Sequence, residues 1–169
     1  MKVTGRKIIT VLFTATVIIS IATLIGPTTN YTHFYKAVEK LRLYMSDFHF
    51  DAQQKTFSAV LIVANNESYS GLKIRSLRYS LAVLAKDDNM VSLTGGQLWW
   101  EPTPLKPNSN FTWPLTNQPV TGSGAEALNE SLQEGKIDLV VSGDAIIHTF
   151  VGYGTWVDLG TWTYITPAT

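Results

Sequence analysis

The chain has 169 residues, and its 13 Lys and Arg residues balance 13 Asp and Glu residues, so the formal net charge is zero. It contains no cysteine, which excludes disulfides, thiol nucleophiles and cysteine-ligated zinc. Lys and Arg form no cluster, so we do not expect a nucleic-acid-binding protein.

An uncharged apolar segment lies near the N-terminus, from Ile8 to Ile25. A helix of this length spans roughly 27 Å, which is close to the ~30 Å hydrocarbon core of a bilayer. The alternative is a cleaved signal peptide, but the apolar run exceeds about 15 residues and no convincing Ala-x-Ala site follows it. Residues 8–25 are therefore predicted to form a single transmembrane helix.

The charges that flank this segment predict its orientation in the membrane. Lys2, Arg6 and Lys7 precede the span, and the next charged residue after it is Lys36. The positive-inside rule makes residues 1–7 a cytoplasmic tip and places the chain after the span outside.

Residues 26–40 are predicted to form a neck. Pro27 has no N–H group, so we expect it to kink a continuous helix or to mark the exit from the span, with a second short helix up to Lys40. The neck also carries aromatic residues where an interfacial belt is expected, namely Tyr31, Phe34 and Tyr35.

From Leu41 onwards, apolar residues alternate with a period of two, which is typical of β-strands. Ser123 and Glu126 predict a capping box for one short helix, which Gly135 ends. Three prolines keep residues 101–110 out of any central strand. Strands are predicted at 41–50 with an irregularity, 56–64 in a central position, 72–84, 91–100 with an interruption at Gly95-Gly96, 111–115 at an edge because of Pro114, 136–147, and 155–165 in a covered position. Residues 41–169 are therefore predicted to be one mainly β domain, a β-sandwich of about seven strands with one short helix.

Four stretches of this domain carry a resemblance to a known family. They are FSAVLIVANNESYSGLKIRSLRYSLAVL, then PNSNFTWPL, then GKIDLVVSGDAII and WVDLGTWTYI. Together with the membrane anchor, this order resembles the water-stress and hypersensitive-response domain, the group-two late embryogenesis abundant fold, over about residues 41–166. The resemblance implies an Ig-like sandwich that is often membrane-anchored and is not known as an enzyme.

Four N-x-[ST] tripeptides lie on the predicted outer side, and they make Asn30, Asn66, Asn110 and Asn129 candidate glycosylation sites. Several such tripeptides together with no cysteine would suit an archaeal surface protein. An extracytoplasmic glycoprotein is therefore the expectation.

The sequence shows no catalytic constellation, and we predict no catalytic, cofactor or metal site. Its histidines are His33, His49 and His148, and none has a second ligand at a zinc-like spacing. Asp87-Asp88-Asn89 could hold calcium through oxygen ligands but is more typical of a solvated hairpin. Glu101, Asp144 and Asp158 show no pairing, so a two-carboxylate glycosidase stays open as a minor alternative.

Five tryptophans are many for a domain of this size, and most are predicted to lie in the core. Trp99 and Trp100 are adjacent, so in a strand they point to opposite faces. One of the two is then expected to be exposed beside the proline-rich segment. Trp99, Trp100 and Trp113 are the predicted interaction surface, for a protein, a sugar ring or the bilayer.

The favoured hypothesis is a membrane-anchored, non-catalytic extracytoplasmic structural or interaction protein, an accessory subunit of a membrane or cell-envelope complex. Its expected partners are the membrane, through one span, and other membrane or envelope proteins. The alternative is a membrane-tethered module that binds lipid or carbohydrate. An enzyme would need a pocket with converging Asp, Glu or His side chains.

Overall fold

The computed structural model describes residues 5–85, 89–120, 122–149 and 152–167. The elements in these ranges are α1 (Gly5–Glu39), β1 (Arg42–Asp51), β2 (Thr56–Asn65), β3 (Lys73–Leu84), β4 (Met90–Pro104), β5 (Ser109–Pro119), α2 (Ser123–Gln133), β6 (Lys136–His148) and β7 (Gly154–Pro167). The chain divides into two compact units, residues 1–36 and 37–169. The first four residues of the predicted cytoplasmic tip, and residues 86–88 of the predicted hairpin, lie outside the described ranges.

The helix α1 is one unbroken helix of 35 residues, with Pro27 inside it. Of the two expectations for Pro27, the continuous helix is the correct one, whereas the exit and the separate second helix are wrong. A proline in a helix removes one backbone donor, and the hydrogen bonds on either side of it keep the helix continuous. The predicted span 8–25 and most of the predicted neck 26–40 thus belong to the same helix.

The apolar side chains of the predicted span, residues 8–25, are exposed rather than packed in a core, whereas Phe34 and Ala37 near the end of α1 are buried. Its stretch Lys7–Glu39 is the one helix among the described residues that is long and apolar enough to cross a membrane. Several of its hydroxyl groups bond within the helix, since Thr16 Oγ1 donates to the Leu12 carbonyl oxygen and Thr23 Oγ1 to that of Ser20, each at 2.9 Å. Such bonds let hydroxyl side chains lie in apolar surroundings without another partner.

The seven strands β1 to β7 form two antiparallel sheets, which confirms the predicted mainly β sandwich. The three-stranded sheet has the order β1-β2-β5, and the four-stranded sheet has the order β4-β3-β6-β7. The strand β2 is central, as its apolar sequence predicts. The strand β5 is at an edge, as Pro114 predicts.

Side chains from the inner faces of both sheets form the core of the sandwich. Each buried aliphatic side chain contributes roughly 1.5–3 kcal/mol relative to an exposed one. The Leu and Ile residues of the strands that are less than 2% exposed are Leu43, Leu61, Ile74, Leu77, Leu81, Leu139, Ile147 and Leu159. The period-two alternation of the sequence is therefore the alternation between core and surface.

Two strands carry local irregularities. In β1 the register shifts between Ser46 and His49, with Asp47 at φ 52°, which confirms the predicted irregularity. In β4 the predicted interruption at Gly95-Gly96 is wrong, because the strand runs through both glycines. A Cβ atom at Gly96 would lie 3.2 Å from the hydroxyl of Tyr79, so the glycine leaves room for that ring.

The helix α2 confirms the predicted short helix but not its predicted cap. Gly122 is the N-cap residue, at φ 56°, and no side chain caps the helix. The capping box of Ser123 and Glu126 is therefore wrong, because the chain enters α2 through a left-handed conformation that favours glycine. Gly135, at φ 77°, follows the helix and supplies the predicted stop.

The strand β7 is an edge strand that pairs with β6, and not the covered strand that its apolar residues predicted. Trp156 and Trp162 account for much of that apolar character, and both are exposed. An edge strand lacks a neighbour on one side, so large side chains that start from it stay partly open to solvent.

Candidate functional site

The tryptophans of the sandwich lie on edge strands, and none of them is buried. Trp99 is 57% exposed, Trp156 45% and Trp162 37%, while Trp100 and Trp113 are half-buried. The prediction that most of them fill the core is therefore wrong. Aliphatic residues together with Phe50, Phe57 and Tyr79 fill the core, and the tryptophans lie around its margins.

Trp100 and Trp113 meet at one side of the sandwich, together with Phe111. The ring centroid of Trp100 lies 4.9 Å from that of Phe111 and 5.3 Å from that of Trp113, both in stacked arrangements. The indole N–H of Trp100 donates to the Ile74 carbonyl oxygen at 3.0 Å. These three rings, here called the edge stack, join β4 of one sheet to β5 of the other.

Trp99 does not join the edge stack, because neighbouring residues of a strand point to opposite faces. Its register partner is Ser76 on β3, and it lies on the outer face of the four-stranded sheet. The predicted interaction surface is thus two adjacent surfaces around β4. One is the half-buried edge stack, and the other is the exposed Trp99.

The outer face of the four-stranded sheet carries a row of polar and charged side chains. By register, Gln97 of β4 lies beside Arg78 of β3, which lies beside Asp144 of β6, which lies beside Asp158 of β7. The sequence did not predict this row, because it depends on pairing between segments far apart in the chain. The only local signal is the alternation of polar residues along β3 and β6.

Arg78 is the central side chain of this row. Its Nε and Nη2 atoms donate to Asp144 Oδ2 at 3.0 and 2.6 Å. Its guanidinium also lies over the ring of Trp156, 4.7 Å from the centroid, in a cation–π contact. Arg78 therefore links strands β3, β6 and β7 on the outer face.

A groove of about 400 Å³ lies along this row. Its lining residues are Arg78, Tyr79, Ser80, Ser142, Gly143, Asp144 and Asp158. Asp158 Oδ1 accepts a hydrogen bond from the Gly160 N–H at 2.8 Å, which fixes this carboxylate at the margin of the groove. We call this feature the outer groove.

Tyr79 lines the outer groove but is itself only 7% exposed. Burial raises the pKa of its hydroxyl above the ordinary value of 10.0, because the phenolate loses hydration in the interior. The residue is therefore a neutral member of the core at physiological pH.

Trp162 lies at the opposite side of the sandwich from the edge stack. Its ring centroid is 5.5 Å from that of Tyr44 on β1, and the Arg42 guanidinium lies 5.8 Å from the same ring. These contacts join β1 of one sheet to β7 of the other. Both open sides of the sandwich are thus closed by aromatic contacts between edge strands.

The four candidate glycosylation sites differ in exposure. Asn66 is exposed in the turn after β2, and Asn110 is exposed on β5. Asn30 and Asn129 are half-buried on α1 and α2. Two of the four therefore have the accessibility that a bulky glycan requires.

Asn65, beside the first of these sites, has a structural role that the sequence did not reveal. It is 1% exposed, its side-chain amide donates to the Lys106 carbonyl oxygen at 3.0 Å, and its Oδ1 accepts from the Glu67 N–H at 3.1 Å. It therefore ties the turn after β2 to the segment between β4 and β5.

The histidines are dispersed over α1 (His33), β1 (His49) and the end of β6 (His148). Within the described ranges no group of three or more His, Asp or Glu residues could hold a metal ion. Of the three carboxylates considered for a glycosidase, Asp144 and Asp158 are register partners, whereas Glu101 lies on β4.

Comparison with known proteins adds neighbours of similar fold. No protein-family model matches the sequence, and no curated protein matches it. A protein from Archaeoglobus fulgidus is similar at 13% identity and a TM-score of 0.45, over 77% of this chain and 98% of that one. An Arabidopsis thaliana protein is similar at 14% identity and a TM-score of 0.48, over 72% of this chain and 78% of that one. A protein described as late embryogenesis abundant is similar at 13% identity and a TM-score of 0.40, over 90% of this chain and 88% of that one.

Proposed function

We propose that this chain is a membrane-anchored, non-catalytic interaction protein of the group-two late embryogenesis abundant type. Its sandwich lies on the outer side of the membrane and holds a protein partner, as an accessory subunit of a membrane or cell-envelope complex. The main observation behind the proposal is that the same chain contains an exposed apolar helix and a β-sandwich. The largest exposed side chains of this sandwich are tryptophans.

The anchor is supported by the properties of α1. Thirty-three of its residues, Lys7–Glu39, form a candidate span, and its most apolar window has no buried residue. A helix that leaves so many apolar side chains exposed needs either a protein partner or lipid around it. The basic residues before the span favour a cytoplasmic N-terminus.

The interaction role is supported by the two surfaces around β4. Exposed aromatic side chains are enriched where proteins meet, because they bury a large area with few rotatable bonds. Trp99 stands free on the outer face, and the edge stack lies on the other side of the same strand. A partner that contacts β4 can reach both surfaces.

The non-catalytic role is supported by the contacts of the charged side chains on the outer face. Arg78 is bound to Asp144, and Asp158 accepts the Gly160 N–H. These contacts give the charged groups a structural role, and among the described residues the lining of the outer groove contains no histidine, the most frequent general acid–base residue.

The experiment is affinity purification of the tagged chain from native membranes in mild detergent, followed by mass spectrometry. We expect the wild-type chain to bring down a stoichiometric set of membrane or surface proteins. Trp99→Ala should reduce that capture by about tenfold or more, as expected for a central aromatic contact.

The matched control is Trp162→Ala, which removes an exposed tryptophan from the opposite side of the sandwich. It should leave capture unchanged. Purification of the wild-type chain without any protein partner would refute the proposal. If Trp99→Ala and Trp162→Ala reduced capture equally, the assignment of the partner-binding surface to the region around β4 would be wrong.

A further inference from the structure

The outer groove combines polar side chains with apolar surface, which distinguishes it from a lipid site. Its side chains offer donors from Arg78, acceptors from Asp144 and Asp158, and hydroxyls that do both from Ser80 and Ser142. A site for an acyl chain is lined mainly by apolar side chains. The groove therefore fits a ligand that itself carries both donors and acceptors.

The charges of the groove argue against an anionic ligand. Arg78 is its one cationic lining residue, and Asp144 neutralises it through two short hydrogen bonds. Asp158 adds a further negative charge. A phosphate, sulfate or nucleic acid would need uncompensated positive charge at this place, so the groove does not favour an anionic ligand.

Trp156 supplies an aromatic surface beside these polar groups. It is 45% exposed, and it is held in place by the guanidinium of Arg78 at 4.7 Å from its ring centroid. An exposed indole next to fixed polar groups can pack against the C–H face of a sugar ring while those groups bind its hydroxyls. The groove volume of about 400 Å³ falls within the range of small-molecule sites.

We infer that the outer groove binds a short neutral oligosaccharide, with Asp158, Ser80 and Ser142 bonded to its hydroxyls and Trp156 packed against a ring. This site is separate from the surfaces around β4 and does not depend on the proposed protein partner.

The test uses the full-length chain in phosphatidylcholine nanodiscs, since glycoside detergents would compete for the site. The probes are maltotriose, cellotriose, mannotriose and N-acetylchitotriose, followed by tryptophan fluorescence and titration calorimetry. We expect at least one of them to bind. Trp156→Ala and Asp158→Asn should each weaken that binding by about tenfold.

Asp158→Asn is chosen to preserve the local fold, and one further variant serves as the control. Asparagine at position 158 retains an oxygen for the Gly160 N–H, so Asp158→Asn keeps the local fold. Trp99→Ala lies on the same outer face but outside the groove, and it should leave sugar binding unchanged while it reduces protein capture.

The inference is wrong if none of the four trisaccharides binds, or if binding is the same in Trp156→Ala and Asp158→Asn as in the wild type. Binding of a Lys-rich peptide in place of these sugars would also overturn it, because the occupant would then be a protein. A failure of protein capture would refute the proposed protein partner without changing the result of the sugar titration. The two proposals can therefore be refuted independently.

Discussion

Asn65 is a buried polar residue whose side-chain hydrogen bonds hold the turn after β2 in place. Its side chain bonds to Glu67 and Lys106, and its Nδ2 also lies 3.4 Å from the carbonyl oxygens of Tyr69 and Leu105. Removing it would leave buried backbone groups without partners, which costs more than the bond itself contributes.

Asn65→Ala should therefore lower the free energy of unfolding by about 2 kcal/mol. Urea unfolding of the full-length chain in nanodiscs, followed by tryptophan fluorescence, would measure this. The control is Asn66→Ala, an exposed neighbour in the same turn, which should change stability by less than about 0.5 kcal/mol. Similar effects of the two substitutions would contradict the role of Asn65.

The raised pKa of Tyr79 predicts that the stability of the folded chain decreases at alkaline pH. Its pKa is raised above 10.0 by burial, so the unfolded chain releases this proton at a lower pH than the folded chain does. Stability is therefore fully present below pH 10 and falls as the pH rises through the folded pKa. Tyr79→Phe should flatten this alkaline loss, measured by urea unfolding across that range.

The control for this pH series is Tyr153→Phe, since Tyr153 is 78% exposed. It should leave the alkaline slope at its wild-type value. An unchanged slope in Tyr79→Phe would show that other groups cause the loss.

Glycosylation is expected at the exposed asparagines. Asn66→Gln and Asn110→Gln should each lower the intact mass of the chain from its native membranes by one glycan, because both sites are exposed. Asn30→Gln should not change the glycan mass, since Asn30 lies within the candidate span. Equal glycan mass in all variants, measured by intact mass spectrometry, would contradict this.

At the level of single residues, the sequence predicted which sheet face a side chain occupies better than it predicted which residues that side chain contacts. The opposition of Trp99 and Trp100 follows from strand geometry, which acts between neighbours. The stacking of Trp100 on Trp113 depends on how two sheets pack, so no local pattern reports it. The burial of Asn65 also depends on the packing of distant segments, so the local sequence does not predict it.

At the level of elements, Gly143 shows how closely β3 and β6 approach. A Cβ atom at this position would fall against the Arg78 carbonyl oxygen and 2.9 Å from Leu43 Cδ2. Both obstacles belong to the packed interior, where neighbours cannot move aside without strain.

Gly143→Ala should therefore destabilise the sandwich by about 2 kcal/mol or more. The comparison is Ser142→Ala, the adjacent position of the same strand, whose Cβ is already accommodated. Thermal unfolding of both variants in nanodiscs would measure the difference. A wild-type melting temperature for Gly143→Ala would show that the strands are less tightly packed than described.

The strands themselves were predictable because alternation is a local property of the sequence. The central place of β2 and the edge place of β5 also followed, from a continuous apolar run and from Pro114 respectively. The edge place of β7 did not follow, because strand order depends on pairing between distant segments. The row of Arg78, Asp144 and Asp158 depends on the same pairing and was missed with it.

The start of α2 was misassigned for a different reason. A capping box and a glycine turn are alternative ways to begin a helix, and the sequence around Ser123 is compatible with both. The positive φ of Gly122 decides between them. Such a choice is made by the backbone path into the helix, which local composition does not determine.

At the level of the whole molecule, composition alone predicted a membrane anchor followed by one β domain. The length of an apolar run and its flanking charges are physical requirements of a bilayer, so they can be recognised without a structure. The identity of a partner or ligand depends instead on surfaces that strand pairing assembles. The outer groove and the edge stack are therefore structural findings.

The measurement that tests the central claim most directly is membrane topology. Tags at the N-terminus and at the C-terminus are compared in intact cells and in lysed cells, with protease added to each, and the membranes are then washed with alkaline carbonate. We predict that the chain stays in the membrane after the wash, that the C-terminal tag is cleaved in intact cells, and that the N-terminal tag is cleaved only after lysis. Release by carbonate, or protection of the C-terminal tag in intact cells, would contradict an outward-facing anchored sandwich.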